Sequence, residues 1–112
     1  GHVRVVNDQI VSPTYTLYLA KQILKLIKTD AFGLYHATSH GQCSWYSFAK
    51  EIFALTNTSV SLEALSSANF PTLAKRAHFS VLENNNLKKL GIDIMRSWQE
   101  GLQDYLKEKG YR

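Results

Sequence analysis

Near its start the chain reads Val5-Val6-Asn7-Asp8-Gln9-Ile10-Val11-Ser12-Pro13-Thr14, and this stretch decides the fold. It predicts a short β-branched strand, Val3–Val6, which ends in a polar turn. Ser12-Pro13-Thr14 then predicts the start of a helix, because Ser and Thr cap free backbone N–H groups and proline is tolerated in the first turn. The same order of strand, turn and capped helix recurs along the chain.

The segment after this stretch predicts an amphipathic helix from Tyr15 to about Lys28. Its apolar residues share one face, which we expect to point inward, and lysines take the opposite side. A second strand is predicted at 33–37, and a second helix, capped by Ser44, from 45 to about 55. The inward face of the first helix is predicted to comprise Leu19, Ala20, Ile23, Leu24 and Ile27.

The second half continues the pattern with a third strand, a long loop and two helices. Two strand–helix–strand units in series imply a parallel sheet with right-handed crossovers. The predicted fold class is therefore α/β, a small three-layer-like domain with a short parallel sheet and packed helices. The predicted parts are a strand at 60–65, an exposed loop at 66–78, an extended piece at 79–82 and a helix at 84–90 that ends at Gly91.

The last predicted helix begins with a capping box, Ser97-Trp98-Gln99-Glu100, and runs to about Lys109. Its predicted inward residues are Trp98, Leu102, Tyr105 and Leu106.

Composition indicates one small domain. The chain has 112 residues, of which 45% are hydrophobic, enough for a globular core. No apolar run approaches the ~20 residues of a membrane helix, so no membrane contact is expected. Cys43 is the only cysteine, which together with the lack of a signal peptide suggests a cytoplasmic protein. Gly1-His2 has the form of a tag remnant, so we expect residues 3–112 to be a single domain cut from a longer protein.

Catalytic motifs are weak. The chain has no glycine-rich phosphate loop and no Gly-x-Ser-x-Gly elbow. Tyr46…Lys50 and Tyr105…Lys109 match the Tyr-x-x-x-Lys pattern of short-chain dehydrogenases, in which the ammonium lowers the pKa of the phenol. Neither pair follows a nucleotide-binding motif, so we expect core-edge tyrosines with solvated lysines. The residues alone predict no catalytic group and no cofactor bound by this chain.

Two further groups could bind ligands. His36, His40 and Cys43 are metal-ligating types, but three candidates spread over a strand end and a loop fit a zinc site poorly. We therefore expect a polar loop with a buried thiol and no metal. Arg76 lies in the long loop, where a guanidinium suits bidentate phosphate binding, and an ordinary surface arginine is the alternative.

Four blocks together resemble the C-terminal portion of the dTDP-4-dehydrorhamnose reductases, which are extended short-chain dehydrogenases. Members of this family reduce a 4-keto nucleotide sugar with NADPH or NADH. The first block, 5–14, resembles Val-Val-x-Asp-Gln-x-Gly-Ser-Pro-Thr, and the second, 33–37 with 43–49, resembles Gly-x-Tyr-His followed by Ser-Trp-Tyr-Glu-Phe-Ala. The third, Lys75-Arg76 with 79–82, resembles Arg-Pro-x-x-Ser-x-Leu-Asp. The fourth, 97–102, resembles Trp-x-x-Ala-Leu.

The resemblance implies that the chain is the substrate-binding lobe of such an enzyme. The N-terminal Rossmann domain, with the cofactor and the Tyr-x-x-x-Lys pair, would be missing, so the lobe alone would be inactive. Arg76 would contact the phosphates of the nucleotide-sugar substrate. Without its partner lobe, Val3–Val6 would be an exposed edge strand that invites self-association. Gln9, Ser12, Pro13 and Thr14 would face the cleft between lobes, where a helix N-terminus favours anions.

Departures from the family pattern leave other functions open. Another nucleotide-sugar dehydrogenase or epimerase would fit, as would a non-catalytic module related to the methionine adenosyltransferase regulatory subunit. A basic nucleic-acid-binding module is a third alternative, since the net charge is +4, but the lysines and arginines are scattered and indicate solvated faces. The departures are Val11 for glycine, Tyr18 for aspartate, Ser47 for glutamate, Ala77 for proline and Glu83 for aspartate.

Overall fold

The computed structural model describes residues 2–66, 68 and 78–110. Lys75 and Arg76 lie outside the described residues. Among the described residues, no helix is long and apolar enough to cross a membrane. The elements in chain order are β1 His2–Val6, β2 Ile10–Val11, α1 Thr16–Ile27, β3 Cys43–Ser44, α2 Trp45–Leu55, β4 Ser61–Leu65, α3 Asn85–Lys89 and α4 Trp98–Glu108.

The sheet prediction is confirmed for two strands and wrong for a third. β1 and β4 pair in parallel, from His2 opposite Ser61 to Val6 opposite Leu65. Residues 33–37 form no strand, because no neighbouring strand within the described residues offers them a hydrogen-bonding ladder. An unpredicted antiparallel pair, β2 with β3, forms instead. The domain is a small α/β fold in which α2 packs against the parallel pair.

Residue 11 adopts ordinary extended backbone. Val11 lies in β2 opposite Cys43. The single non-glycine residue with positive φ in the described part of the chain is Asn57, so Val11 does not occupy a conformation that favours glycine. Its substitution for the family's glycine therefore carries no backbone strain.

The start of α1 differs from the prediction. The helix begins at Thr16, and Tyr15 occupies the N-cap position without a side-chain capping hydrogen bond. The expected capping by Ser12 or Thr14 is therefore wrong. The cap predicted at Ser44 is confirmed, because its hydroxyl accepts a hydrogen bond from the backbone N–H of Ser47.

The predicted inward face of α1 is also wrong. Ile23 is 47% exposed, Leu24 is 56% exposed and Ile27 is 68% exposed, whereas Gln22 is only 1% exposed. Ala20 is exposed as well, and Leu19 is half-buried. The helix packs through the face that carries Gln22, and its apolar stripe points to solvent.

A bidentate amide contact explains this rotation of α1. Gln22 donates from Nε2 to the carbonyl of Ile92 at 2.9 Å, and its Oε1 accepts from the backbone N–H of Ile94 at 2.8 Å. A buried primary amide needs such partners, because an unpaired one costs the full desolvation of its polar atoms. The contact joins α1 to the segment that leads into α4.

The core is small and centred on α4. The predicted capping box of α4 is confirmed. The Ser97 hydroxyl accepts from the backbone N–H of Glu100, and the Glu100 carboxylate accepts from the backbone N–H of Ser97. Tyr105, predicted inward, is 42% exposed.

The radius of gyration is 16.2 Å, against about 13 Å for a compact domain of this length. The buried cluster comprises Cys43, Trp98, Leu102 and Leu106, with Phe48, Ile52 and Leu55 of α2 packed against it.

Gln22→Met tests the amide contact. Methionine keeps the length of the side chain but leaves the carbonyl of Ile92 and the N–H of Ile94 without these partners, so we expect a loss of about 2 kcal/mol in the free energy of unfolding. Urea denaturation measures this loss. The control is Lys25→Met, on an exposed position of the same helix, which should change stability by less than about 0.5 kcal/mol. Equal losses in the two variants would contradict the role of the amide.

Candidate functional site

A cleft of about 230 Å³ opens between the entry to α1 and the side of α4. Its lining is mainly apolar and aromatic, and none of its side chains carries a charge. Aromatic walls of this kind bind flat rings by stacking and by apolar burial. The lining residues are Pro13, Thr14, Tyr15, Thr16, Phe48, Trp98, Gly101, Leu102 and Tyr105.

Two of the predicted site residues, Pro13 and Thr14, reach this cleft. The Thr14 hydroxyl accepts from the backbone N–H of Ser39 at 3.1 Å and donates to the carbonyl of Ser12 at 3.0 Å. The Ser12 hydroxyl donates to the carbonyl of Gly41 at 2.7 Å. The polar stretch before α1 therefore fastens the 38–42 loop instead of capping the helix.

Gln9 and Arg76 complete the set of five predicted site residues. Gln9 is 7% exposed, in the turn between β1 and β2, and does not line the cleft. Arg76 falls outside the described residues, so its predicted phosphate contact stays a prediction.

Gly101 lets the two helices approach closely at the base of the cleft. A Cβ atom at this position would lie 3.2 Å from the Cβ of Tyr15 and 3.5 Å from Cε2 of Tyr18. The Tyr15 ring meets the Tyr105 ring edge to face, with centroids 5.8 Å apart. A side chain at residue 101 would push α1 and α4 apart and change the width of the cleft.

Tyr18 extends this contact with a polar network beside the cleft. Its hydroxyl donates to the carboxylate of Asp104, and the Arg96 guanidinium lies 5.5 Å from the centroid of its ring. Arg96 also pairs with Glu100. Burial, followed by the hydrogen bond to Asp104, raises the pKa of Tyr18 to about 12, so the phenol stays neutral. Tyrosine at the family's aspartate position thus bonds α1 to a carboxylate on α4.

The histidine and cysteine side chains have structural surroundings. His40 bonds through Nε2 to Asp93 at 2.9 Å, and Cys43 lies in the apolar cluster. No group of three or more His, Cys, Asp or Glu side chains in the described residues is arranged to hold a metal. Burial raises the pKa of the Cys43 thiol to about 11, so at neutral pH it is a protonated thiol and a poor nucleophile.

A second cleft of similar size is polar and is lined in part by the 38–42 loop. Thr38, Asn84 and Lys88 are among its lining residues. Ser39 also lines it, and its buried hydroxyl has no hydrogen-bond partner in the described part of the chain. Of these two clefts the aromatic one is the candidate site, because its lining includes the predicted residues Pro13 and Thr14 and the lining of the polar one does not.

The aromatic lining was not predicted as a site. Trp98 was expected in the core, which its packing confirms, and both Trp98 and Phe48 also line the cleft. Tyr15 was expected only as the start of a helix. The sequence does place the N-cap Ser97 one residue before Trp98, which puts Trp98 at the first position of α4.

Comparison with known families gives a match along almost the entire chain. The model of the RmlD substrate binding domain matches residues 1–110. The chain belongs to this family.

Individual relatives agree with this assignment. The spore coat polysaccharide biosynthesis protein SpsK of Bacillus subtilis is 36% identical over 96% of the chain, which covers 37% of that protein. A dTDP-4-dehydrorhamnose reductase of Mycobacterium tuberculosis is 33% identical over 91% of the chain, which covers 34% of that protein. The chain thus spans little more than a third of the length of these relatives.

Solved structures extend the likeness to the fold. A dTDP-4-dehydrorhamnose reductase from Clostridium acetobutylicum superimposes with a TM-score of 0.94 at 42% identity, over 96% of the chain and 39% of its own. The enzyme of the same name from Bacillus anthracis, in complex with NADP, gives a TM-score of 0.92 at 41% identity. That superposition covers 96% of the present chain and 38% of the Bacillus anthracis protein. The α/β fold is that of the C-terminal lobe of an extended short-chain dehydrogenase, as predicted.

Cys43 gives a prediction for alkaline stability. Its pKa rises from 9.0 to about 11 on folding, because burial disfavours the thiolate. The stabilisation from the neutral thiol is therefore complete below pH 9 and is lost as the pH rises towards 11. Cys43→Ala removes this contribution, so the Tm of the variant should fall less steeply than that of the parent between pH 9 and 11.

Thermal melts across this pH range measure the difference. Tyr15 and Tyr18, whose pKa values are raised to about 12, are present in both proteins and so cancel in the comparison. Parallel declines of Tm would contradict a buried thiol.

Proposed function

We propose that this chain is the nucleotide-sugar-binding lobe of an NADP-dependent dTDP-4-dehydrorhamnose reductase. The observation that carries the proposal is the match of the RmlD substrate binding domain along residues 1–110. The aromatic cleft supports it, because the cleft contains Pro13 and Thr14 from the stretch that most resembles the family. The NADP bound to the Bacillus anthracis relative supports the choice of cofactor for the whole protein.

The cleft takes one part of the substrate. Its volume of about 230 Å³ is below the ~300 Å³ at which pockets begin to hold a whole drug-sized ligand. A single uncharged ring, the base or the deoxy sugar, fits the size and the aromatic lining. Tyr105 is the half-exposed wall on which that ring stacks, and the Tyr15 ring meets the Tyr105 ring edge to face.

The diphosphate of the substrate needs positive charge that the cleft lacks. We assign this contact to Arg76, whose guanidinium can bind two phosphate oxygens at once. Ser12 and Gln9 act indirectly, since the first fastens the 38–42 loop and the second is a buried residue of the turn between β1 and β2.

The reduction takes place in the whole protein. There the bound nicotinamide would supply hydride to C4 of the 4-keto sugar, with the Tyr-x-x-x-Lys pair located in the portion of the relatives outside the match. The present chain would orient the sugar and exclude water from it. Tyr46 and Tyr105 do not form this pair, so the chain alone is expected to be inactive.

Two statements about the setting belong to the same proposal. A cytoplasmic location follows from the single cysteine, buried and reduced. Self-association of the isolated chain through β1 follows from its pairing with β4 alone among the described residues.

A chimeric enzyme tests the proposal. The chain is joined to the portion of the Clostridium acetobutylicum relative that precedes the matched segment, and NADPH oxidation is followed with the dTDP-linked 4-keto sugar. We expect turnover by the chimera and none by the chain alone. Turnover by the isolated chain, or a folded chimera without sugar binding, would overturn the proposal in favour of a different or a non-catalytic module.

Arg76→Ala in this chimera tests the phosphate contact. Charge-assisted hydrogen bonds of this kind contribute about 1.5–3 kcal/mol, so KM for the nucleotide sugar should rise about tenfold or more. Lys75→Ala is the matched control, because it removes the same charge from the adjacent residue without removing a guanidinium. Equal increases of KM would indicate a general effect of charge and contradict the assignment.

Tyr105→Ala tests the ring-binding wall. Loss of one stacking partner should weaken binding of the uncharged ring by about 0.5–1.5 kcal/mol, a few-fold to about tenfold in KM. The control is Tyr46→Ala on α2, outside the cleft lining. Titration calorimetry with dTDP separates a base-binding cleft, where Tyr105→Ala weakens dTDP, from a sugar-binding one, where it does not. Unchanged binding of both dTDP and the nucleotide sugar would contradict the role of the cleft.

A further inference from the structure

A row of three tyrosine rings joins the start of α1 to the aromatic cleft. The Tyr18 ring meets the Tyr15 ring edge to face, with centroids 5.1 Å apart, and the Tyr15 ring meets the Tyr105 ring in the same way at 5.8 Å. Tyr15 and Tyr105 line the cleft, whereas Tyr18 is buried and is not one of its lining residues. Because packed side chains transmit displacements to their neighbours, a shift of the Tyr18 ring moves the wall of the cleft.

Hydrogen bonds to carboxylates on α4 hold two of these rings in place. The Tyr18 hydroxyl donates to Asp104, and the Tyr15 hydroxyl donates to Glu108. Asp104 and Glu108 are four residues apart, so their side chains lie on the same side of α4. Nη1 of Arg96 donates to the Tyr18 hydroxyl at 3.2 Å. The start of α1 is thereby bonded to α4 at two points along that helix.

The position on α4 against which the Tyr18 ring packs is Gly101. A Cβ atom at residue 101 would lie 3.5 and 3.8 Å from Cε2 and Cδ2 of Tyr18, which is ordinary contact. It would also lie 3.2 Å from Cβ of Tyr15, which is closer than packed carbon atoms normally approach. Since the Tyr15 Cβ is attached to the backbone, relief of this contact requires the start of α1 to move. The Tyr18 ring, bonded to Asp104, resists that movement.

Both residues depart from the family pattern that the chain resembles. Gly101 stands at the alanine of Trp-x-x-Ala-Leu, and Tyr18 stands where the pattern has aspartate. Glycine is a poorer helix former than alanine, so a glycine inside α4 needs a packing reason. The Tyr18 ring supplies that reason, because an aspartate at residue 18 has no ring to pack against residue 101. Each departure therefore accounts for the other.

We propose that Tyr18 and Gly101 are a coupled pair that sets the width of the aromatic cleft, with Tyr18 as a positioning residue for the ligand. The ligand is an uncharged ring of a nucleotide sugar, the base or the sugar, and this identification rests on the proposed function. Tyr18 acts through Tyr15, whose ring fixes the Tyr105 wall on which the ligand ring stacks.

Thermal melts of the isolated chain test the coupling without a ligand. Gly101→Ala should lower the Tm of the parent by more than about 3 °C, because the methyl group forces α1 away from α4. In a Tyr18→Asp background the same change should leave the Tm unchanged or raise it, because the ring is gone and alanine favours the helix. Equal shifts in the two backgrounds would overturn the coupling.

Two further variants keep this test decisive. Gln103→Ala, at an exposed position of α4, is the control for a new alanine in the helix and should shift the Tm equally in both backgrounds. If Tyr18→Asp does not fold, Tyr18→Leu provides the second background, because it removes the hydroxyl and the ring without adding a charge beside Asp104.

Kinetics of the chimera test the effect on the cleft. Gly101→Ala and Tyr18→Asp should each raise KM for the nucleotide sugar about fivefold or more, because each displaces the Tyr15 ring. Their double variant should show no more than the larger increase, since both changes act on one contact. Tyr18→Phe keeps the ring over Gly101, so its KM should stay within about threefold of the parent value. Increases that multiply in the double variant, or equal KM values for Tyr18→Phe and Tyr18→Asp, would overturn the proposal.

The source of the ring is decided by two measurements on Gly101→Ala. If the cleft binds the base, titration calorimetry should show weaker binding of dTDP, and kcat should change less than about twofold, because the reacting sugar is held elsewhere. If the cleft binds the sugar, dTDP should bind as it does to the parent, and kcat should fall together with the rise in KM. Either result supports the coupled pair and names its ligand ring.

These outcomes separate the inference from the proposed function. A chimera that neither binds nor reduces the nucleotide sugar refutes the proposed function, and the melts still decide whether residues 18 and 101 are coupled. A chimera that reduces the sugar with KM unchanged by both single variants overturns the positioning role of Tyr18 and leaves the proposed function intact.

Discussion

The buried amide of Gln22 fixes the arrangement on which the rest of the domain depends. Its two hydrogen bonds to the backbone at Ile92 and Ile94 set the rotation of α1 about its own axis. With that rotation set, Tyr18 meets the carboxylate of Asp104 on α4. The apolar stripe is then obliged to face away from the domain, since polar side chains and not apolar ones occupy the contact.

The aromatic cleft follows from the same arrangement. The capping box holds the first turn of α4, and the missing side chain at Gly101 lets α1 come within van der Waals contact. The gap that remains between the two helices is bordered by rings from both of them. The shape of the cleft therefore depends on the amide of Gln22, the phenol of Tyr18 and the missing side chain at Gly101, together with the apolar cluster that its lining shares.

Sequence reasoning succeeded where the determinants are local. The caps at Ser44 and Ser97 and the turn at Gly91 each depend on residues within one helical turn, and each was predicted. It failed where the determinant is remote. Periodicity shows which residues of α1 share a face, but the partner of that face is set by Gln22 and a segment seventy residues away. The cleft was only half predicted, because its rings come from three separate helices.

The failure at α1 is itself informative. The helical spacing of the apolar residues favours burial of the stripe, whereas the fold of this chain leaves it in water. Natural sequences keep few such conflicts between local pattern and tertiary structure without a functional reason. α1 has 12 residues, about 18 Å of helix, with the cleft at its first turn and the stripe along the rest. One rigid element then carries both surfaces. A body that covers the stripe would therefore be held at a fixed distance and orientation from the cleft, since both surfaces belong to one helix.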